Sequence, residues 1–179
     1  DLRKQNKDVW IYTEYLTPIS TLLGSAANHF SLMPAGDVRL QGLYGESLYF
    51  KNMLDKLGLK VEVIHIGDFK SAGEELYRDR PSEFAQQQQN TLLDSVYQQI
   101  ICQIAEGRGL TNKEVEAIVD LGSLSPAKAK ELQLVDHLYH RSEFVNTIRK
   151  TYGAGVKFDA SYRLPNLHGP ENSGFFDLM

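Results

Sequence analysis

Among the residues able to do chemistry, Lys70 is the best placed. It follows an alternating, β-branched run (Val61, Val63, Ile64, Ile66) that predicts a strand over residues 61–66, closed by Gly67-Asp68. Ser71-Ala72-Gly73-Glu74 then has the S-x-x-E spacing of a capping box, which predicts a helix from Ser71 onward. Lys70 stands at the joint between the two. A lysine there lies near the partial positive charge of a helix N-terminus, which opposes its protonation; lysines are ordinarily found at the other end. Two readings follow. One is a solvated lysine paired with Glu74 four residues on. The other is an amine held partly neutral for use as a base.

Other candidates are sparse. The five histidines are scattered and no Cys/His group has metal-ligand spacing, so no metal or other cofactor is expected. Cys102, the one cysteine, lies in the apolar helical run QQIICQIA and reads as a buried structural thiol with no internal disulfide partner.

The surroundings of Lys70 favour the base. Residues 67–76, GDFKSAGEEL, followed by Tyr77-Arg78-Asp79-Arg80, resemble the G-x-[YF]-K-S-A-x-E-x-[FL]-x-R-[DE] segment of the signal peptide peptidase A family, membrane-associated Ser/Lys proteases. The resemblance runs from about Asp8 to Gly153 and includes residues 49–57, YFKNMLDKL, similar to the family's YYKxLLDKL helix. It implies an α/β chain of the Clp protease/crotonase type, a β-α superhelix, with Lys70 as the general base. A lysine can take that role if its pKa falls from about 10.4 toward neutrality, roughly three units or about 4 kcal/mol. Burial and a helix N-terminus push that way, and neighbouring carboxylates such as Glu74 and Glu75 push back.

The nucleophile does not carry over. Nucleophile-bearing copies have an Ala-Ala-Ser-Gly-Gly-Tyr motif, the serine standing beside backbone N–H donors for the oxyanion. Aligned on Ala27-Asn28, that serine falls on Pro18 and the glycines on Ile19 and Ser20. Ser20 and Ser25 are the nearest hydroxyls, two and seven residues out of register, and read as packing or helix-surface residues. A second family serine, in Gly-Ser-Ile-Gly, is replaced by Gly36-Asp37-Val38-Arg39. Gly42, with Leu43 beside it, matches the family's glycine next to the substrate groove; taken alone, Gly42 is a turn or bulge residue.

The elements that must position these residues read as follows. Residues 1–8 form the polar end of a helix leading into the strand Val9-Trp10-Ile11-Tyr12, and residues 17–28 form a helix with Pro18 in its first turn. Residues 32–43 read as a turn and a short strand. Residues 46–57 form an amphipathic helix whose stripe (Tyr49, Phe50, Met53, Leu54, Leu57) is expected in the core, with Gly58 as the stop. The longest helix spans residues 82–106, with Gln86 to Gln89 on a solvated face, and capping signals at Thr111 and Ser125 begin two more. Ala129 with Leu134-Val135-Asp136 resembles the Ala-x-x-x-x-Leu-Val-Asp that closes the core of crotonase- and Clp-type domains.

The chain has 179 residues, 42% hydrophobic, enough for one core and an extension. A net charge of −4 with both signs interspersed offers no footprint for nucleic acid. No run approaches the roughly 18 apolar residues of a membrane span. Residues 1–152 are expected to form a partial peptidase domain whose first strands lie upstream, and the Gly/Pro/Asn-rich residues 153–179 a linker toward another repeat. The resemblance implies a Ser/Lys endopeptidase of the cell envelope acting on apolar peptides such as cleaved signal peptides. It further implies membrane attachment through a segment outside this sequence, and a homo-oligomer with the serine supplied by another repeat or subunit. A non-catalytic scaffold repeat of the same fold is the alternative. An acyl-CoA enzyme on the crotonase fold fits less well, since that chemistry commonly uses carboxylates and gives the lysine motif no role.

Overall fold

The computed structural model describes residues 5–153 and 155–158. It opens on a β-α-β unit: β1 (Trp10–Leu16), α1 (Pro18–Ser25) and β2 (His29–Leu40). The proline at the first helical position has no N–H to leave unsatisfied. Thr17 and Ser20 form a capping box, the Thr17 hydroxyl accepting the Ser20 N–H and the Ser20 hydroxyl accepting the Thr17 N–H. The helix is shorter than its sequence predicts. It stops at Ser25 because the Asn28 side chain accepts the Val9 N–H at 3.0 Å, and the Asn28 and His29 N–H groups both donate to the Val9 carbonyl. Those bonds bring the chain back beside β1.

Where a turn and a short strand were expected over residues 32–43, β2 is a single strand of 12 residues. The turn survives inside it as a bulge. Thr13 of β1 pairs with Leu32 but Tyr15 pairs with Asp37, so residues 33–36 are looped out of register. Gly36 is required there, since a Cβ would come within 2.5 Å of the Glu14 carbonyl oxygen. β1 and β2 run parallel. On the opposite edge of β2, β4 (His137–Leu138) pairs parallel near its start, and β3 (Gly122–Leu124) pairs antiparallel at its end.

Residues 41–73 include none that is buried. The helix expected over residues 46–57 is confined to α2 (Lys51–Lys56), and its apolar stripe is not core: Met53 is 51% and Leu57 66% exposed. Gly58 does stop the helix, at φ 73°. The strand expected over residues 61–66 is also not formed. No described strand pairs with it, and Ile64 and Ile66 are 98% and 90% exposed. A segment with β-propensity but no described ladder partner has nothing to satisfy it as a strand.

Beyond α3 (Glu74–Tyr77), the long helix α4 (Glu83–Arg108) buries Ile101, Ile104 and Ala105 against the sheet. Cys102 faces the other way and is exposed, which corrects the reading of a buried thiol. Helices α5 (Asn112–Asp120) and α6 (Pro126–Glu131) start where the capping residues Thr111 and Ser125 place them. Val115, Ile118 and Ala129 join Leu16, Phe30, Leu32, Val38 and Leu40 of the sheet in one core with Leu134 and Val135. α1 packs closely against α4 at Gly107 and against β2 at Gly24. A Cβ on Gly107 would lie 2.4 Å from the Ser25 carbonyl oxygen, and one on Gly24 would lie 2.2 Å from the Phe30 ring.

Asp136 closes this core. Its carboxylate accepts from Arg108 at 2.6 and 3.3 Å and from the Phe30 N–H at 2.7 Å, while Arg108 Nε donates to the Gln133 carbonyl. Burial alone would raise the Asp136 pKa. The hydrogen bonds from Arg108 and Phe30, with the charges of Arg108 and His137, outweigh it and hold the group below its ordinary value. One compact unit runs to Phe144 and a second begins at Val145. In the second, the Arg149 guanidinium lies 5.5 Å from the centre of the Phe158 ring. The first residues of the expected N-terminal helix end (1–4), and the linker from residue 159 onward, lie outside the described residues.

Candidate active site

Lys70 sits on a loop bounded by glycines in the left-handed region, Gly67 at φ 102° and Gly73 at φ 93°. Its N–H donates to the Gly67 carbonyl at 3.2 Å, closing a turn, and the side chain is exposed. The helix after it is not the one the capping box predicts. α3 is a single turn with Gly73, not Ser71, as its N-cap, and no side chain caps it.

The reason lies in Glu74. Its side chain does not serve Ser71 but accepts from the Ser82 N–H at 2.8 Å and the Ser82 hydroxyl at 2.6 Å. Ser82 is itself the N-cap of α4, accepting the Ala85 N–H at 3.1 Å. Arg78 Nε lies 3.9 Å from the same carboxylate. Burial pushes the Glu74 pKa up; the bonds from Ser82 and the charges of Arg78 and His65 outweigh it and hold the carboxyl below its usual range. The Lys70–Glu74 pair of the simpler reading is therefore not the use made of this carboxylate. Phe69 adds a second contact, its ring meeting the Phe84 ring edge-on at 5.2 Å.

The hydroxyls near the expected nucleophile position are engaged. Ser20 is tied into the α1 cap and donates to the Tyr15 carbonyl at 3.0 Å. Ser25 is 2% exposed and donates to the Leu22 carbonyl at 2.7 Å. Pro18 lines a narrow apolar cleft with Gln41, Leu43, Tyr97 and Ile100, so the structure brings the Pro18 and Leu43 positions together. Lys70 is not among the residues lining that cleft. Gly42 is exposed, and a Cβ there would meet nothing within 4 Å. Among the described residues, nothing demands glycine at that position.

Sequence reasoning missed the Thr17–Ser20 box, although T-x-x-S directly before a helix is a readable signal. It also missed the Glu74–Ser82 contact, which joins two helices across a Pro81 break and has no local signature. Among the described residues, no group of His, Cys, Asp or Glu could hold a metal ion. None of their helices is long and apolar enough to cross a membrane.

A mixed, mainly parallel α/β layer closed by Leu134-Val135-Asp136 is the architecture of a chain of the Clp/crotonase class. The model of peptidase family S49 matches residues 1–156, and the chain belongs to that family. It is 26% identical over 152 residues to the chloroplastic serine protease SPPA of Arabidopsis thaliana, covering 85% of this chain and 22% of that protein. It is 28% identical over 171 residues to protease 4 of Salmonella typhi, covering 91% and 28%. With protease 4 of Haemophilus influenzae the identity is 27% over 157 residues, covering 83% and 26%. The chain thus spans about a quarter of the length of these curated relatives.

Proposed function

We propose that this chain is the lysine-bearing part of a Ser/Lys endopeptidase, with Lys70 as general base and the nucleophilic serine supplied by another repeat or subunit. The observation that carries the reading is the contrast between two sets of side chains. Lys70 stands exposed on a glycine-bounded loop, neither buried nor at a helix N-terminus, with Glu74 engaged by Ser82 and not by the lysine. Ser20 and Ser25, by contrast, are committed to hydrogen bonds within and around α1.

In the reaction, Lys70 Nζ takes the proton of the incoming serine hydroxyl as its oxygen attacks the peptide carbonyl. The tetrahedral oxyanion collapses, the C–N bond breaks, and the lysine returns the proton to the departing amine. Water, activated by the same amine, then releases the acyl group and restores the serine. Lys70 is exposed on this chain, so the surface that brings the serine is also the one that would cover it. Substrates are extended apolar peptides of the kind signal-peptide remnants provide. They lie along the open backbone at Gly42 and Leu43, where no described residue stands within 4 Å of a Gly42 Cβ. A homo-oligomer at the cell envelope, attached to the membrane by a segment beyond this sequence, completes the proposal.

Peptide turnover by the intact protein tests it. Lys70→Ala should lose activity by about a hundredfold or more, the usual worth of a general base. Turnover equal to wild type overturns the assignment and leaves the scaffold reading.

A further inference from the structure

We infer that Glu74, acting through Ser82, is the positioning residue for Lys70, fixing the loop that presents the amine to the first turn of α4. The inference rests on the reading of Lys70 as the base. Between Leu40 and Glu74 no residue is buried, so the Phe69–Phe84 ring contact is not backed by any buried apolar side chain of this stretch. Its one buried group is a carboxylate, Glu74, 6% exposed.

Burying a charge is costly unless its hydrogen bonds are made. Here Oε2 accepts the Ser82 N–H and Oε1 the Ser82 O–H, while the Ser82 oxygen accepts the Ala85 N–H. The chain of bonds therefore runs from the loop into the backbone of a helix of 26 residues. A greasy contact would tolerate sliding; a doubly held carboxylate fixes distance and direction together. Lys70 lies between this anchor and the Phe69–Phe84 ring contact at 5.2 Å, which alone leaves the loop free to pivot. Both anchors reach the same end of α4. A base displaced by about 1 Å can lose on the order of a hundredfold in rate without loss of substrate binding.

The experiment uses the intact protein with Glu74→Gln, Ser82→Ala and Ser82→Thr. Glu74→Gln presents an amide N–H2 where an acceptor is needed, so kcat should fall by about ten- to a hundredfold with KM within about twofold. Ser82→Ala should show a smaller loss, and Ser82→Thr, which keeps the hydroxyl, should restore turnover to near wild type. Amide hydrogen exchange over residues 67–73 should quicken by about tenfold or more in the first two variants, with residues 29–40 of β2 protected as before. Wild-type kcat and wild-type loop exchange in both Glu74→Gln and Ser82→Ala, beside an inactive Lys70→Ala, overturn the positioning role alone. Wild-type turnover in Lys70→Ala instead removes the base itself, so the two failures are told apart. A fall in kcat with β2 exchange also raised would mark general unfolding and overturn the inference.

Discussion

Removing Arg108 should weaken the fold by an amount the geometry sets. In Arg108→Ala the Asp136 carboxylate loses contacts at 2.6 and 3.3 Å, and the Gln133 carbonyl loses its donor at 2.7 Å. Among the described residues the Phe30 N–H is then the hydrogen-bond donor left on the Asp136 carboxylate. Breaking a buried pair from one side costs about 3–5 kcal/mol. The Asp136 side chain keeps 30% of its exposure, so water can reach it and the lower end, about 3 kcal/mol, applies. With a urea dependence of about 2 kcal/mol per molar, the midpoint should fall by about 1.5 M. The pH dependence follows from the direction of the Asp136 shift. A carboxyl held below its unfolded value contributes stability that is fully present above about pH 4 and is lost as pH falls through its folded value. The gap between wild type and Arg108→Ala should therefore narrow on acidification from about pH 4. A midpoint change under about 0.3 M at neutral pH, or a gap that widens in acid, would refute the reasoning.

Two smaller predictions concern packing. Gly24→Ala sets a methyl 2.2 Å from the Phe30 ring, and overpacking of about 1–3 kcal/mol should exceed the roughly 1 kcal/mol that alanine gains in a helix. A fall of about 2–8 °C in thermal midpoint is expected, and a rise would contradict the placement of Phe30. Cys102 should react with a thiol–disulfide reagent in native buffer, because it is exposed on α4. A thiol that appears only after denaturation would return it to the core.

What could be read from sequence divides along a physical line. Caps are local, so Ser82, Thr111 and Ser125 begin helices where their spacing places them. Gly58 ends one for the same reason. The Leu134-Val135 pair reached the core because its pattern matched a closing motif whose surroundings are present. Failure came where periodicity lacks a partner. The stripe on α2 and the alternation over residues 61–66 carry the pattern of buried elements, yet no described neighbour covers either. Apolar spacing states which face seeks burial, not what supplies it. Glu74 misled for the opposite reason, since its local capping box lost to a partner eight residues on, across Pro81. For Lys70, local spacing alone favoured the ion pair with Glu74, and only the resemblance pointed to a base.

The most direct measurement is labelling of the intact protein with a serine-directed fluorophosphonate, followed by peptide mapping, in wild type and in Lys70→Ala. The account predicts that one serine outside residues 1–179 is modified, and that modification slows by about a hundredfold when the lysine is gone. Labelling on Ser20 or Ser25, or an unchanged rate without Lys70, would contradict it.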